Sequence, residues 1–442
     1  MTADDTVKLR PAIRLPQATA MVAGIIIGAS IFVQPSEITG RVPSIGGVFL
    51  VWLVSGLLTF FGALVCAELA SMFTRTGGVY IYLREAYSPS LGFLWGWAMF
   101  WSMHSGIIAA IAVVFSRYAG YFVPLDDFAA KAVAIAAIVV ISGINYIGVK
   151  QGSSLQAFMT LGKILAIVFI ILAGFLLGSR LPEHFSPGSL AGRGITLGGF
   201  LQALVAGLFA FGGWHMVTYN SEETVDPAKT IPRALMLGTG IVTAGYIVLN
   251  AVYMYILPLD KVASSTRIAA DAADAVVGSG GGAVMSLLVV FSAFGALAGI
   301  ILCGPRVYYA MARDGLLFSW LGDIHPRFRT PAKAIALQMV WSSVLVATGT
   351  FRILFTRVVF TEWIFFGLMA IGLIILRKRN PPGRRNFLMG SLFIPVLFSA
   401  SSFAIVIHQL AANPGQSLVG LALVLTGLPV YYLWKKKRGA SP

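Results

Sequence analysis

Apolar residues in this chain gather in long uninterrupted stretches, separated by short polar segments that carry most of the charges and many of the prolines. A membrane-crossing helix needs roughly 20 mostly apolar residues. Twelve stretches meet that need, at about 17–40, 46–72, 91–118, 129–148, 153–178, 196–219, 233–257, 283–311, 333–350, 353–376, 387–410 and 416–434. The segment ending near Thr350 is the shortest and the weakest member of the count. Two of the twelve contain glycine where a continuous helix is otherwise expected: Gly24 to Phe32 (GIIIGASIF) and Phe209 to Trp214 (FAFGGW).

In hydrocarbon an unpaired backbone group costs several kcal/mol, so a helix breaks at mid-depth only where protein or a water-filled cavity takes up the freed amides and carbonyls. The two breaks occupy the first span of two successive blocks of five. An odd number of spans per block makes the second block enter the membrane from the opposite side, which is the inverted repeat found in many secondary transporters. The predicted fold is therefore an all-α polytopic membrane protein of 12 spans with a 5+5 inverted repeat and broken helices 1 and 6. Its parts are a tail at 1–16, a first repeat at 17–178, a second at 196–376, two further spans at 377–434 and a basic tail at 435–442. Two inter-span segments, Ala67 to Pro89 and Asn220 to Ala234, have the Gly77-Gly78 turn, an amphipathic stretch and paired prolines expected of structured gate elements.

Composition agrees with this reading: 57% of residues are hydrophobic, 11% are charged, and the mean hydropathy is +0.84. The net charge of +15 raises the possibility of nucleic acid binding. The basic residues instead flank apolar spans in many short loops, with no folded basic domain to carry them. With the N-terminus on the cytoplasmic side, 22 of the 32 Lys and Arg residues fall on that face and 9 on the other, Lys163 remaining within the membrane. That excess predicts cytoplasmic N- and C-termini in a cell membrane. No cleavable leader is expected, since the first apolar run is a full span after a polar tail. Cys66 and Cys303 both fall within spans, so neither a metal site nor a disulfide to a partner is expected. No Ser/His/Asp constellation, HExxH or phosphate loop points to an enzyme.

Beyond the two breaks, the chain carries AELASMFTRTGGVYIYLREAY after span two, LGKILAIVFIILAG in span five, NSEETVDPAKTIPRA after span six and SAFGALAGIILCGPRVYYAMARDGLL in span eight, followed by IHPRFRTP. In this order the motifs resemble the amino acid-polyamine-organocation superfamily and, within it, the L-type amino acid transporters. The resemblance implies a LeuT-type fold working by alternating access, an amino acid as substrate and no cofactor. It also implies that a substrate carboxylate meets the amides around Gly28, Ala29 and Ser30, and that its ammonium meets carbonyls of Ile26, Phe209 and Gly212. Ala210 and Gly213 complete this group, and Phe209 becomes the aromatic gate over the substrate. Relatives commonly have Gly-Ser-Gly-Ile-Phe where this chain has Gly28-Ala29-Ser30-Ile31-Phe32. Ser30 is therefore either strained, should it need positive φ, or free to offer its hydroxyl to the ligand.

Lys163 lies about 15 Å into a core roughly 30 Å thick, at mid-membrane, where an ionisable residue is functional by default. The resemblance implies that its ammonium stands in the place of a sodium ion, linking span one to span eight near Ser286 or Ser292. His215, just past the second break, has two readings, a packing residue or a proton-exchanging one. His104 and His408 read as packing. Glu68, Glu222, Glu223 and Asp226 are either solvated or paired with Arg75, Arg84 or Arg313 at the inner gate.

The expected lining around the breaks (Ala23, Ile26, Ala29, Ala210, Gly212) is small and apolar, with no acid to receive a cationic side chain. A cation-selective pocket would require an acid from spans three, eight or ten, and span three offers none. These features predict a sodium-independent exchanger or facilitator of neutral L-amino acids. The alternatives are proton-coupled uptake of cationic amino acids or amines and, from another class, a non-transporting amino acid receptor. Human members of the L-type group join a heavy chain through a cysteine after span three. The segment Ala119 to Lys131 has none, so no disulfide-linked heavy chain is expected.

Overall fold

A computed structural model describes residues 8–178, 194–278, 280–349, 351–379, 387 and 390–439. Arg180, Arg193, Arg384, Arg385 and the outer parts of both tails lie outside the described residues. Within them the chain is helical, with a single parallel bridge between Ile13 and Thr224 in place of any sheet. Eleven helices among the described residues are long and apolar enough to cross a membrane. The ninth expected stretch forms the helix Ala332–Thr348, which at 17 residues is apolar but shorter.

Both predicted interruptions are present. Span one is a helix Leu15–Ile26, a short 3-10 turn Ala29–Phe32 and a second helix Gln34–Arg41. Span six is a helix Leu197–Ala210 that gives way at Phe211 to Gly213 and continues as a tighter 3-10 segment Trp214–Glu223. Span three has an irregularity that apolar patterning does not predict, a π turn over Met99–Met103 between the helices Pro89–Ala98 and His104–Ala119. One extra residue per turn there shifts the face presented by His104, and such turns are frequent at functional sites. The segment between spans seven and eight folds into two short helices, Leu259–Ser264 and Ile268–Val277.

Span five, Val149–Leu177, shows how the bundle positions its polar residues. Phe158, Leu161, Leu165, Phe169, Leu172 and Leu176 are all exposed along one stripe. Gly152, Gln156, Thr160, Lys163 and Ile167 are buried on the other side. The spacing of three and four residues makes these two opposite faces of a single helix, so the apolar face meets lipid and the polar face meets span one. The approach is close: a Cβ at Gly24 would lie 1.8 Å from Thr160 Oγ1, and that hydroxyl donates to the Ala20 carbonyl at 3.0 Å.

One end of the bundle is closed by ion pairs. Arg377 at the end of span ten clasps Glu68 through Nε and Nη2, at 2.8 and 2.6 Å. Arg306 in span eight holds Glu223 through Nε and Nη2, both at 2.8 Å, with both side chains 0% exposed. Asp314 receives Arg75 Nη2 at 2.8 Å, the Tyr80 hydroxyl at 2.8 Å and Arg84. These contacts correct the expected partnerships. Glu68 and Glu223 take Arg377 and Arg306, while Arg75 and Arg84 go to Asp314, and Asp226 pairs with the exposed Lys229 at 3.4 Å. Glu222 accepts from the Thr76 amide at 3.3 Å. The opposite end holds a cavity of about 900 Å³, lined by Gln34, Glu37, Arg41, Arg117, Gln202 and Gln409 among others.

Candidate functional site

The two breaks meet through span seven, the helix Pro227–Ile256. Its Tyr246 hydroxyl lies 2.9 Å from the Ile26 carbonyl and 3.2 Å from the Ala210 carbonyl, so one buried donor is shared between the interrupted spans. The Ile26 carbonyl also accepts from the Gly28 amide at 2.7 Å. Both of its lone pairs are thus engaged, and an ammonium there would have to share the oxygen with Tyr246. The Phe209 carbonyl accepts from the Gly212 amide at 3.0 Å.

The first residues of a helical turn have amides with no acceptor inside it. In the turn Ala29–Phe32 these are the amides of Ala29 and Ser30, and among the described residues that of Ser30 donates to no backbone carbonyl outside the turn. Amides left free at a helix start are of the kind that can bind an anionic group. The Gly28 amide, expected to join them, is already used. Among the described residues only Asp226 and Arg329 combine a side chain with positive φ, so Ser30 carries no left-handed strain. The departure from the family's glycine-rich sequence costs this backbone nothing.

Gly213 is the position in span six that does need glycine. Its φ of 90° lies in the left-handed region, and a Cβ there would sit 2.4 Å from Ile25 Cγ2. Gly28 has φ −104° and its nearest neighbour for a Cβ is 3.7 Å away. Gly213→Ala is therefore expected to lower the thermal unfolding midpoint and reduce activity, while Gly28→Ala leaves the midpoint in place. Equal midpoints for the two variants would remove the backbone argument for Gly213.

Lys163 is 2% exposed. Its ammonium donates to the carbonyl of Gly24 at 2.8 Å and to that of Ile27 at 2.7 Å, the oxygens freed where span one stops being helical. Ser292 in span eight reaches the same Ile27 carbonyl, donating at 3.4 Å. Its neighbour Gly295 faces the lysine stem, since a Cβ there would lie 2.8 Å from Lys163 Cε. Ser286, the other serine expected nearby, has a buried hydroxyl with no partner among the described residues.

His215 is buried among rings, 4.9 Å from Phe366, 5.4 Å from Trp214, 5.5 Å from Tyr219 and 5.8 Å from Trp95, and neither ring nitrogen has a hydrogen-bond partner among the described residues. His104 pairs through Nδ1 with Gln338 Oε1 at 3.2 Å, and its Nε2 is unpartnered. Phe209 is half-buried, one turn beyond Val205 and Ala206, which line the 900 Å³ cavity.

Two residues here were not among the expected ones. Tyr246 gives no sequence signal, being one aromatic within a long apolar span. Glu362 does give one, as a lone acid in the apolar run of span ten. It is 5% exposed, with Oε1 buried and without a hydrogen-bond partner among the described residues.

Apolar spans bundled around two interrupted helices, tied together by one buried hydroxyl, are the architecture of a secondary carrier. Residues 13–431 match the amino acid permease family, and the chain belongs to that family, within the amino acid-polyamine-organocation superfamily. It is similar to the serine/threonine exchanger SteT of Bacillus subtilis (strain 168), 32% identical over 98% of this chain and 98% of that protein. It is also similar to the human cystine/glutamate transporter, 30% identical over 98% of this chain and 87% of the other. The human b(0,+)-type amino acid transporter 1 is 30% identical over 97% of this chain and 89% of its own length. The chain is thus a multi-pass membrane protein of a transporter family and not an enzyme.

Proposed function

We propose that this protein carries L-amino acids across the cell membrane by alternating access, as an exchanger or facilitator independent of sodium. The observation that carries the proposal is the Lys163 ammonium seated on the carbonyls of Gly24 and Ile27. A broken helix leaves such oxygens in need of a cation, and here the chain supplies its own. The amides of Ala29 and Ser30 are proposed to receive the substrate carboxylate. The carbonyls at the second break, with Ile26 once Tyr246 yields its bond, receive the ammonium. Ion pairs closing the face of Glu68, Glu223 and Asp314, with a cavity at the other end, support one step of a cycle in which access alternates. The breaks at matched places in spans one and six support an inverted repeat, and the distribution of basic residues supports cytoplasmic termini. The names of the similar proteins support amino acids as the substrate class.

The small and apolar residues at the breaks favour neutral substrates; Glu362 bears on that preference and is taken up below. Uptake of neutral, cationic and anionic amino acids into proteoliposomes tests the proposal, with and without internal substrate, sodium or a pH gradient. Saturable uptake that ignores sodium is the expected result, a need for internal substrate marking an exchanger and uptake into empty vesicles a facilitator. Stimulation by sodium would overturn the role given to Lys163, and flux that fails to saturate would replace the carrier with a channel. In the same assay Phe209→Ala is expected to abolish net uptake while retaining substrate binding, because the family resemblance gives this ring the role of gate over the substrate. Unchanged uptake would remove Phe209 from the gate.

A further inference from the structure

The neutral preference rests on there being no acid beside the breaks, and span ten carries a buried one, Glu362, one turn from a ring that packs on the residue after the second break. Glu362 lies on the inward side of span ten, one turn from Phe366, whose ring packs 5.2 Å from Trp214 and 4.9 Å from His215. Trp214 directly follows the glycine that ends the second break. The carboxylate is near enough to the Tyr219 hydroxyl to act on it electrostatically, and the Tyr219 ring lies 5.5 Å from His215 and 6.4 Å from His104. Spans three, six and ten thus converge on one buried polar group.

Within that group the Tyr219 hydroxyl, both His215 nitrogens, His104 Nε2 and Glu362 Oε1 are all buried without a hydrogen-bond partner among the described residues. Buried polar atoms are normally paired, and a set of orphans in one place marks where something polar belongs. A carboxylate is the most demanding of them, because an ionised acid in a low-dielectric interior needs a counter-charge. No lysine or arginine forms an ion pair with Glu362 among the described residues, whereas the other deeply buried acids, Glu68 and Glu223, each have an arginine.

We propose that Glu362 receives a cationic group, an ammonium or guanidinium, on the side chain of the transported amino acid. The inference rests on the transport reading above and specifies its side-chain subsite. The breaks bind the common amino acid backbone, and Glu362 then discriminates between side chains: a substrate ending in an ammonium completes the orphaned cluster, while an apolar one of equal length leaves it unpaired.

Lysine and norleucine differ at this end only by the ammonium and so isolate the term. Each is used to compete with labelled amino acid uptake in proteoliposomes carrying wild type or Glu362→Gln. Lysine is expected to compete in wild type, and the variant to raise the lysine-to-norleucine ratio of inhibitory concentrations by at least about 30-fold. An unchanged ratio overturns the proposal, as does a wild type that lysine does not inhibit. A variant that loses drive from a pH gradient with the ratio unchanged also overturns it, assigning Glu362 to protons instead. Should Glu362→Gln fail to fold, thermal unfolding of the purified wild type decides. Stabilisation by lysine beyond that by norleucine supports the proposal, and equal effects overturn it. A wild type neither stabilised by nor transporting any amino acid overturns the transport reading as well, whereas transport confined to neutral substrates overturns only the role of Glu362.

Discussion

Lys163→Met is expected to bring uptake to background and to lower the thermal unfolding midpoint. Methionine keeps the length and apolar stem of the side chain but removes the ammonium, so packing against Gly295 survives and the bonds to Gly24 and Ile27 do not. Hydrogen bonds from a charged donor contribute about 1.5–3 kcal/mol each, and a buried carbonyl left unmade costs a similar amount. Losing two removes roughly 3–6 kcal/mol from the interrupted form of span one. The alternative for that segment is to wind into a more regular helix, which would withdraw the amides of Ala29 and Ser30 from the site. Uptake by purified Lys163→Met within a few-fold of wild type would show that the break holds without the lysine.

Arg306→Met is expected to have the second largest effect, on stability above all. Both members of the Arg306–Glu223 pair are fully buried, and Glu223 Oε2 also accepts from Asn220 Nδ2 at 2.7 Å. Removing one partner of a buried pair costs about 3–5 kcal/mol, because the other charge is left without compensation. The damage extends further, since the Glu223 carbonyl anchors the amides of Ala12 and Ile13 at 2.8 and 2.9 Å and so fixes the approach to span one. Replacing both residues by apolar ones, as in Glu223→Leu with Arg306→Met, is expected to recover much of the loss. Thermal unfolding in detergent reads all three proteins. A single variant as stable as wild type would mean that the pair contributes nothing to holding this face shut.

The membrane spans were legible because hydropathy over about 20 residues is a property of the sequence alone. The breaks were legible because glycine within such runs has a backbone consequence, which Gly213 shows with its positive φ. The ion pairs were not. Glu68 and Arg377 are 309 residues apart, and nothing local tells an acid at the end of span two which of several arginines will reach it. Tyr246 was invisible for a related reason: a hydroxyl on an apolar helix acquires its role only when two foreign carbonyls are brought beside it. The π turn of span three escaped because hydropathy averages over the single residue that it adds. Glu362 stands apart from these cases. Its isolation in an apolar run was itself a signal, but its nearness to the ring of Phe366, which packs on Trp214 and His215, follows from the register of span ten against span six, which only the packing sets.

If Lys163 stands where a sodium ion would bind, the consequence is thermodynamic. A free ion that enters with the substrate and leaves on the far side lets an electrochemical gradient drive accumulation. A cation covalently fixed to the chain makes no such journey. It contributes shape and charge to the site in every turnover and transfers no work from the sodium gradient. The steady ratio of amino acid across the membrane would then be set by the counter-substrate, by the membrane potential when the cargo itself is charged, or by any proton that moves with it. A cell would adjust such a carrier through its metabolite pools and not through its sodium pumps.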